Sequence, residues 1–186
     1  LATEAFSKLT TPLNESFMQK EHASLLRILE NAENSPDFLE KLKNSEPRHL
    51  KEKIKGTPYG EAVQLHVKEF GWLGFGYVGP AWNEEYFLGI LSSLARQNVD
   101  AKKMLEENQN KQFSLKKEQK ALEKEFALSE KQLQAFQVAA SFVYAKSFRK
   151  DAMFKFFSSM NNLFHETTKT TTLVKSLQFL YEMLKI

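Results

Sequence analysis

Apolar residues recur every three or four positions along most of the chain, which is the spacing of an amphipathic helix. Residues 14–33 show it first, and the face expected to be buried holds Met18, His22, Leu25, Leu29 and Ala32. A hydroxyl residue followed by proline, at Ser35-Pro36 and again at Thr57-Pro58, is a helix-start signal. Pro47 opens another short segment that ends near Gly56, so the pattern predicts three short helices between residues 35 and 71.

The second half of the chain predicts longer helices. Asn83 is a good N-cap for a helix over the mid-80s and 90s. Residues 100–127 are charged and poor in apolar anchors, so we predict two exposed helices with a break within 108–114. The capping box Ser129–Gln132 begins a helix to about Phe164. Its inward side is expected to hold Leu133, Phe136, Ala140, Val143, Phe148, Ala152, Phe156, Met160 and Leu163.

These elements define the expected fold class. Alternating strand patterns are nearly absent, and Thr170-Thr-Thr172 starts one more helix. We predict an all-α protein, an irregular multi-helix bundle with an aromatic Gly/Pro corner at 71–82. Residues 1–186 are expected to form one helical domain. The alternative that residues 1–57 form a separate small N-terminal cap is left open. Because the chain begins at Leu1 rather than Met, we expect a piece of a longer chain.

Composition and charge exclude several classes of function. The net charge is only +3, from 26 basic and 23 acidic residues, which predicts no strong attraction to nucleic acid or an anionic membrane. The chain has no cysteine, so disulfide and thiol chemistry are excluded. No apolar run approaches the roughly 20 residues that span a bilayer, and no signal peptide is evident. A cytoplasmic protein is expected.

The glycine-rich stretch contains the one nucleotide-binding pattern, because Gly74, Gly76 and Gly79 spell G-x-G-x-x-G. A dinucleotide-binding turn needs a buried strand before it and a helix that starts inside it. Here a helix precedes the pattern, and Pro80 follows it. We predict that the glycines permit tight turns while the neighbouring rings pack under helices, and those rings belong to Trp72, Phe75, Tyr77 and Trp82.

No catalytic or metal-ligating set emerges elsewhere. His165-Glu166 lacks the second histidine of a zinc-protease motif, because Lys169 stands in its place. His22 falls in the middle of a helix, without the small-residue approach of a phosphorylated histidine. The lysines and glutamates of residues 102–125 alternate as on a solvated helix. We therefore predict no catalytic residue and no metal site.

A cluster of three cations, Lys146, Arg149 and Lys150, lies within five residues of an otherwise aromatic helix. One interpretation is that long basic side chains reach solvent beside Asp151. The other is a patch that docks another domain or its phosphorylated group. The sequence leaves both open.

Two stretches resemble a known family. "LHVKEFGWLGFGYVGPAWNEEYF" (65–87) and "FVYAKSFRKDAMFKFFSSMNNLFHE" (142–166) resemble segments of phosphoenolpyruvate-utilising proteins of the phosphoenolpyruvate synthase type. The terminal "LQFLYEML" is similar to the segment that closes the same helical region. Order and spacing agree, and the resemblance covers the chain from about residue 58 to its end.

The resemblance implies a helical region upstream of a swivelling domain whose histidine carries phosphate. The expected function is a non-catalytic linker or scaffold whose partners are the other domains of the same polypeptide. ATP and Mg²⁺ are implied for the parent enzyme, a phosphotransferase of the kinase type, and not for this segment. Lys146, Arg149 and Lys150 become a candidate interdomain surface. The residues carried over as structural packing are Trp72, Tyr77, Pro80, Trp82, Tyr86 and Phe87.

Two other functions stay open at this point. The first is a free-standing helical module that binds a partner protein through its aromatic groove. The second is an enzyme with a small-molecule pocket at the aromatic corner.

Overall fold

The structure, a computed structural model, describes residues 2–76 and 79–168, apart from the side chains of residues 162 and 165–168. Within these ranges it has eight α-helices, one short 3-10 helix and no strand, which confirms the all-α prediction. The 3-10 helix spans Gly71–Gly74. The α-helices are α1 (Ala2–Thr10), α2 (Phe17–Glu33), α3 (Pro36–Asn44), α4 (Pro47–Ile54), α5 (Pro58–Phe70), α6 (Glu84–Arg96), α7 (Ala101–Glu125) and α8 (Glu130–Thr168). The helix predicted to start at Thr170 lies outside the described residues.

Side-chain caps determine where several helices begin. Ser16 and Gln19 form a capping box in which the Gln19 side-chain oxygen Oε1 accepts from the Ser16 N–H at 2.8 Å, so α2 begins at 17 rather than 14. The Asn83 side-chain oxygen Oδ1 accepts from the Tyr86 N–H at 3.0 Å, which confirms the predicted start of α6. Gln132 likewise accepts from the Ser129 N–H at 2.9 Å, where α8 was expected to begin.

Helix α7 corrects one prediction. It is a single helix of 25 residues, so the break predicted within 108–114 is wrong. Neither proline nor glycine occurs between 101 and 125, and asparagine or serine in a helix interior does not by itself interrupt the hydrogen-bond ladder. Helix α1, which the hydrophobic pattern did not predict, packs against both α7 and α8.

One apolar core holds α2 to α6 together. Its buried side chains come from residues 25–54 and from residues 63–101, so α2, α3 and α4 share this core with the segment that follows. Helix α6 packs against α3, α4 and α5. The large side chains that are completely or almost completely buried include Leu25, Leu26, Leu29, Leu42, Leu50, Phe87, Leu88 and Leu91.

The long helices α7 and α8 form an outer layer. Helix α7 packs on α2 and α1, whereas α8 contacts α1 and the 3-10 helix. The Gln119 amide ties α1 to α7 by donating to the carbonyls of Lys8 at 2.8 Å and Thr11 at 2.9 Å. The inward face predicted for α8 is partly wrong, because several of its residues are exposed. These are Val143, Phe148, Ala152, Phe156 and Leu163.

The inner side of α8 is instead partly polar. Asp151 and Ser158 are buried there, with 8% and 7% of their surface exposed. Apolar residues occur around the whole circumference of α8, so helical periodicity alone does not select a buried face.

Candidate functional site

The glycine-rich stretch is a corner packed by side chains. Helix α5 leads into it directly, and the 3-10 helix takes up its first four residues. A side chain at Gly74 would collide with the indole of Trp82, and a Cβ at Gly79 would lie 2.9 Å from the Phe75 ring. The Trp82 N–H donates to the Gly71 carbonyl at 2.8 Å. The glycines therefore make room for the aromatic rings, and the backbone N–H of Trp82 is hydrogen-bonded within the protein.

The aromatic residues carried over from the family resemblance differ in burial. Trp72 and Phe87 are buried, Trp82 is half-buried, and Pro80 is exposed. Tyr86 keeps 40% of its surface exposed and stacks on Trp82 at 4.6 Å between ring centroids. Burial raises the pKa of the Tyr86 hydroxyl, and the Glu21 carboxylate adds to the rise. Tyr77 lies outside the described residues.

Beneath this corner lies a buried polar network that joins α2 to α5. His66 Nε2 is 3.2 Å from Glu21 Oε1, and His66 Nδ1 is 3.0 Å from Ser24 Oγ. His66 is 2% exposed and Glu21 6%. The rings of Phe70 and Phe87 flank the imidazole at 5.1 and 4.5 Å. Both ring nitrogens are thus satisfied within an apolar surround.

The network has the residue types of a hydrolase triad but not its geometry. Ser24 lies in the middle of α2, where the backbone N–H groups are engaged in the helix and cannot form an oxyanion hole. The imidazole is buried and has no open side for a substrate. We conclude that Glu21, Ser24 and His66 fix the packing of α2 against α5.

Sequence reasoning did not identify the network of Glu21, Ser24 and His66. The apolar pattern assigned His22 to the buried face of α2, whereas His22 is half-buried and Glu21 takes the deeper position. A glutamate and a serine three residues apart on one helix face are too common to signal a buried network. Only the opposing histidine, 42 residues away from Ser24, identifies them.

The predicted cation cluster lies on the solvent side of α8. Lys146, Arg149 and Lys150 are all exposed, and none forms an ion pair within the part of the chain described. Asp151 is buried on the other side of the helix, and this burial raises its pKa although Lys150 opposes the shift. The Lys150 ammonium lies 5.3 Å from the centroid of the Phe154 ring.

Exposed apolar side chains surround these cations. Val138 is 55% exposed, Phe142 72% and Val143 51%. We call this surface the outer face of α8, and it consists of Val138, Phe142, Val143, Lys146, Arg149 and Lys150. Singly scattered apolar residues on a surface are ordinary, but a contiguous set on one helix marks an interaction site. Exposed apolar side chains beside cations are the chemistry of a surface that can bind a partner.

Cavities, metals and membranes add little to this picture. A cavity of about 100 Å³ lies between α4, α5 and the start of α6, where Lys51 Nζ and Glu84 Oε2 pair at 3.2 Å. It is smaller than the roughly 300 Å³ of a typical small-molecule site. Four other hollows are larger, at about 330 to 580 Å³, but they are surface grooves that are more open to solvent. Within the described ranges, no group of three potential metal ligands occurs. No helix there has the length and apolar character needed to cross a membrane.

Comparison with models of known families, with curated proteins and with solved structures finds no match. The class that the fold and the site define is an all-helical protein with a closed core and an exposed apolar and basic helix face.

Proposed function

We propose that this chain is a non-catalytic helical scaffold domain of a phosphoenolpyruvate synthase-like phosphotransferase. In this role it positions ATP-binding and phosphohistidine domains that are separate from it. The observation that carries the proposal is the outer face of α8, on which three exposed cations lie among exposed apolar side chains. Such a face suits a domain whose surface is covered by its neighbours.

The resemblance at residues 65–87 and 142–166 supports the proposal. The two resembling segments lie together in the fold, since α8 packs on the 3-10 helix. Lys155 Nζ lies 5.7 Å from the centroid of the Trp72 ring, and the Phe17 ring contacts both Trp72 and Phe148. Segments that are 55 or more residues apart in sequence thus form one surface, as expected if they belong to one functional unit.

The closed polar network supports the non-catalytic part of the proposal. Glu21 and His66 are buried and hydrogen-bonded to each other, so neither is available to a substrate. The glycine-rich corner is occupied by the Trp82 and Phe75 rings rather than by an open anion cradle. We therefore expect no thermal shift of the 186-residue chain with ATP, phosphoenolpyruvate or pyruvate. A saturable shift with any of the three would refute the non-catalytic assignment.

The test of the scaffold role uses the native gene product. Lys146, Arg149 and Lys150 are changed together to glutamate, and phosphoryl transfer from ATP is measured. We expect a loss of at least about tenfold in kcat, because misplaced domains lose the proximity that catalysis needs. The matched control changes the exposed Lys116, Lys117 and Lys120 of α7 to glutamate and should stay within about twofold. Equal activity of the two variants would refute the role.

A second candidate function is a free-standing helical module that binds another protein through the same outer face. The exposure of Phe142 and Val143 favours it, since these side chains suit an intermolecular contact equally well. The native reading frame distinguishes the two functions. A downstream Gly-Thr-Ser-rich histidine motif supports the phosphotransferase scaffold, and its absence supports the module.

A further inference from the structure

We infer that the outer face of α8 docks an amphipathic helix that carries carboxylates beside its apolar side chains. This deepens the proposed function and rests on it, because it names the chemistry of the domain that the scaffold holds. The face consists of Val138, Phe142, Val143, Lys146, Arg149 and Lys150.

The geometry of α8 brings the six residues together. At 100° per residue they fall within an arc of about 140°, and from the first to the last they extend about 18 Å along the axis. The opposite side of α8 contains the buried Asp151 and the half-buried Tyr144, and α8 contacts α1 and the 3-10 helix. The outer face is thus one continuous strip on the side of α8 away from the core.

The charge on the strip determines the charge of its partner. The strip holds three cations and no carboxylate, and the one acid between residues 131 and 164 is Asp151, which is buried on the other side. A second copy of this chain would bring cations against cations, which disfavours a symmetric dimer. Residues 169–186 of the chain are also basic, with three lysines and one glutamate. A carboxylate-bearing partner complements the strip.

The placement of the cations favours a helix over a lipid surface. On a helix that lies in a membrane interface, cations occupy the arc opposite the apolar residues. On α8, Arg149 and Lys146 fall within about 20° and 40° of Phe142. Immersing Phe142 would thus draw both charges toward the acyl region. A helix with alternating leucines and glutamates can meet the phenylalanine and both cations at once.

The strength of the interaction follows from the size of the strip. A single docked helix buries less than about 1,200 Å² in total, the low end of specific interfaces. We expect a dissociation constant of the order of 10 μM for a separate peptide, or about −7 kcal/mol. Within one polypeptide, an effective concentration of about 1 mM would keep such a contact almost fully formed.

Because the chain has no cysteine, a single introduced cysteine can be labelled specifically. Ala145 is exposed beside the strip, so an Ala145→Cys variant carries an environment-sensitive fluorophore there, and a Lys117→Cys variant carries it on α7. The labelled 186-residue chain is titrated with a synthetic helical peptide of about 21 residues, with leucine at heptad positions a and d and glutamate at e and g. A matched peptide has lysine for glutamate. Vesicles of phosphatidylcholine with about one quarter phosphatidylserine test the lipid alternative.

The expected result is saturable binding of the acidic peptide, reported by the label on α8 and not by that on α7. Phe142→Ser and the pair Lys146→Glu with Arg149→Glu should each weaken it at least about tenfold. The α7 pair Lys116→Glu with Lys117→Glu should change it less than about twofold. Circular dichroism and thermal unfolding check that each variant is folded.

Four results would overturn the inference: no binding of the acidic peptide, equal binding of both peptides, binding of vesicles alone, or affinity unchanged by the α8 variants. The proposed function fails separately. If charge reversal abolishes phosphoryl transfer but the acidic peptide does not bind, the scaffold role stands and the partner chemistry is wrong. If the peptide binds but charge reversal leaves transfer intact, the strip is a docking site and the scaffold role is wrong.

Discussion

Replacing His66 with leucine tests how much the buried network contributes to stability. The imidazole is the one link between the Glu21 carboxylate, 3.2 Å from Nε2, and the Ser24 hydroxyl, 3.0 Å from Nδ1. His66→Leu places an apolar side chain of similar size between Phe70 and Phe87, so the substitution leaves only a small cavity. It leaves both polar groups without their partner.

The expected cost follows from burial. The side chains of His66 and Glu21 are only 1% and 8% exposed, so water does not replace the lost partner. Removing one member of a buried pair typically lowers the free energy of unfolding by about 3–5 kcal/mol. A whole domain is stable by only about 5–15 kcal/mol, so the variant is expected to be severely destabilised.

Urea denaturation of four proteins measures this cost: wild type, His66→Leu, Glu21→Met and the double variant. In the double variant no unpaired carboxylate remains, so its free energy of unfolding should exceed that of His66→Leu by at least about 2 kcal/mol. The control removes the exposed pair of His49 and Glu46, which lie 3.7 Å apart, and should change stability little. A double variant as unstable as the sum of the single variants would refute the reasoning.

Two further changes test the aromatic corner and the inner side of α8. Gly74→Ala should lower the free energy of unfolding by about 1–3 kcal/mol, because its methyl group collides with the Trp82 indole. Gly89→Ala in α6, where the added methyl group would lie 3.7 Å from the Pro47 ring without a clash, should raise it by up to about 1 kcal/mol. Equal effects of the two changes on urea denaturation would contradict this contrast. For Asp151, burial raises the folded-state pKa above the ordinary 3.8, so wild type loses stability as pH rises through that pKa. The free energy of unfolding of Asp151→Asn should therefore rise relative to that of wild type between pH 3 and pH 7. A difference between the two proteins that stays constant across that range would exclude a contribution from the raised pKa of Asp151.

Features that depend on local chemistry could be predicted from the sequence. The Asn83 cap and the Ser129–Gln132 pair act within one helical turn, so the residues themselves predict the helix starts. Proline at the first position of α3 and α5 works in the same way. The cation cluster was also identified, because three basic residues within five positions are visible without a fold.

Features that depend on what packs against a helix could not be predicted. In α2 the same periodicity suits His22 or Glu21, and the choice depends on the approach of His66 from α5. In α8, Phe156 was predicted to face inward and is 58% exposed, whereas Asp151 is buried. The sequence has apolar residues on every side of α8, so the surface of α1 and the 3-10 helix decides which side is covered.

The burial pattern of α8 links its packing to the proposed role. Covering a phenylalanine side chain is worth about 2 kcal/mol, and burying a carboxylate is unfavourable. A helix that needed only to complete this fold would therefore cover Phe142 and expose Asp151. The chain does the opposite over the same three turns, with Phe142 72% exposed and Asp151 8%. Exposing Phe142 is unfavourable for the isolated chain. It becomes favourable if a partner covers Phe142 and supplies carboxylates to Lys146 and Arg149. Docking of a carboxylate-bearing helix on the outer face of α8, as proposed, would account for the exposure of Phe142.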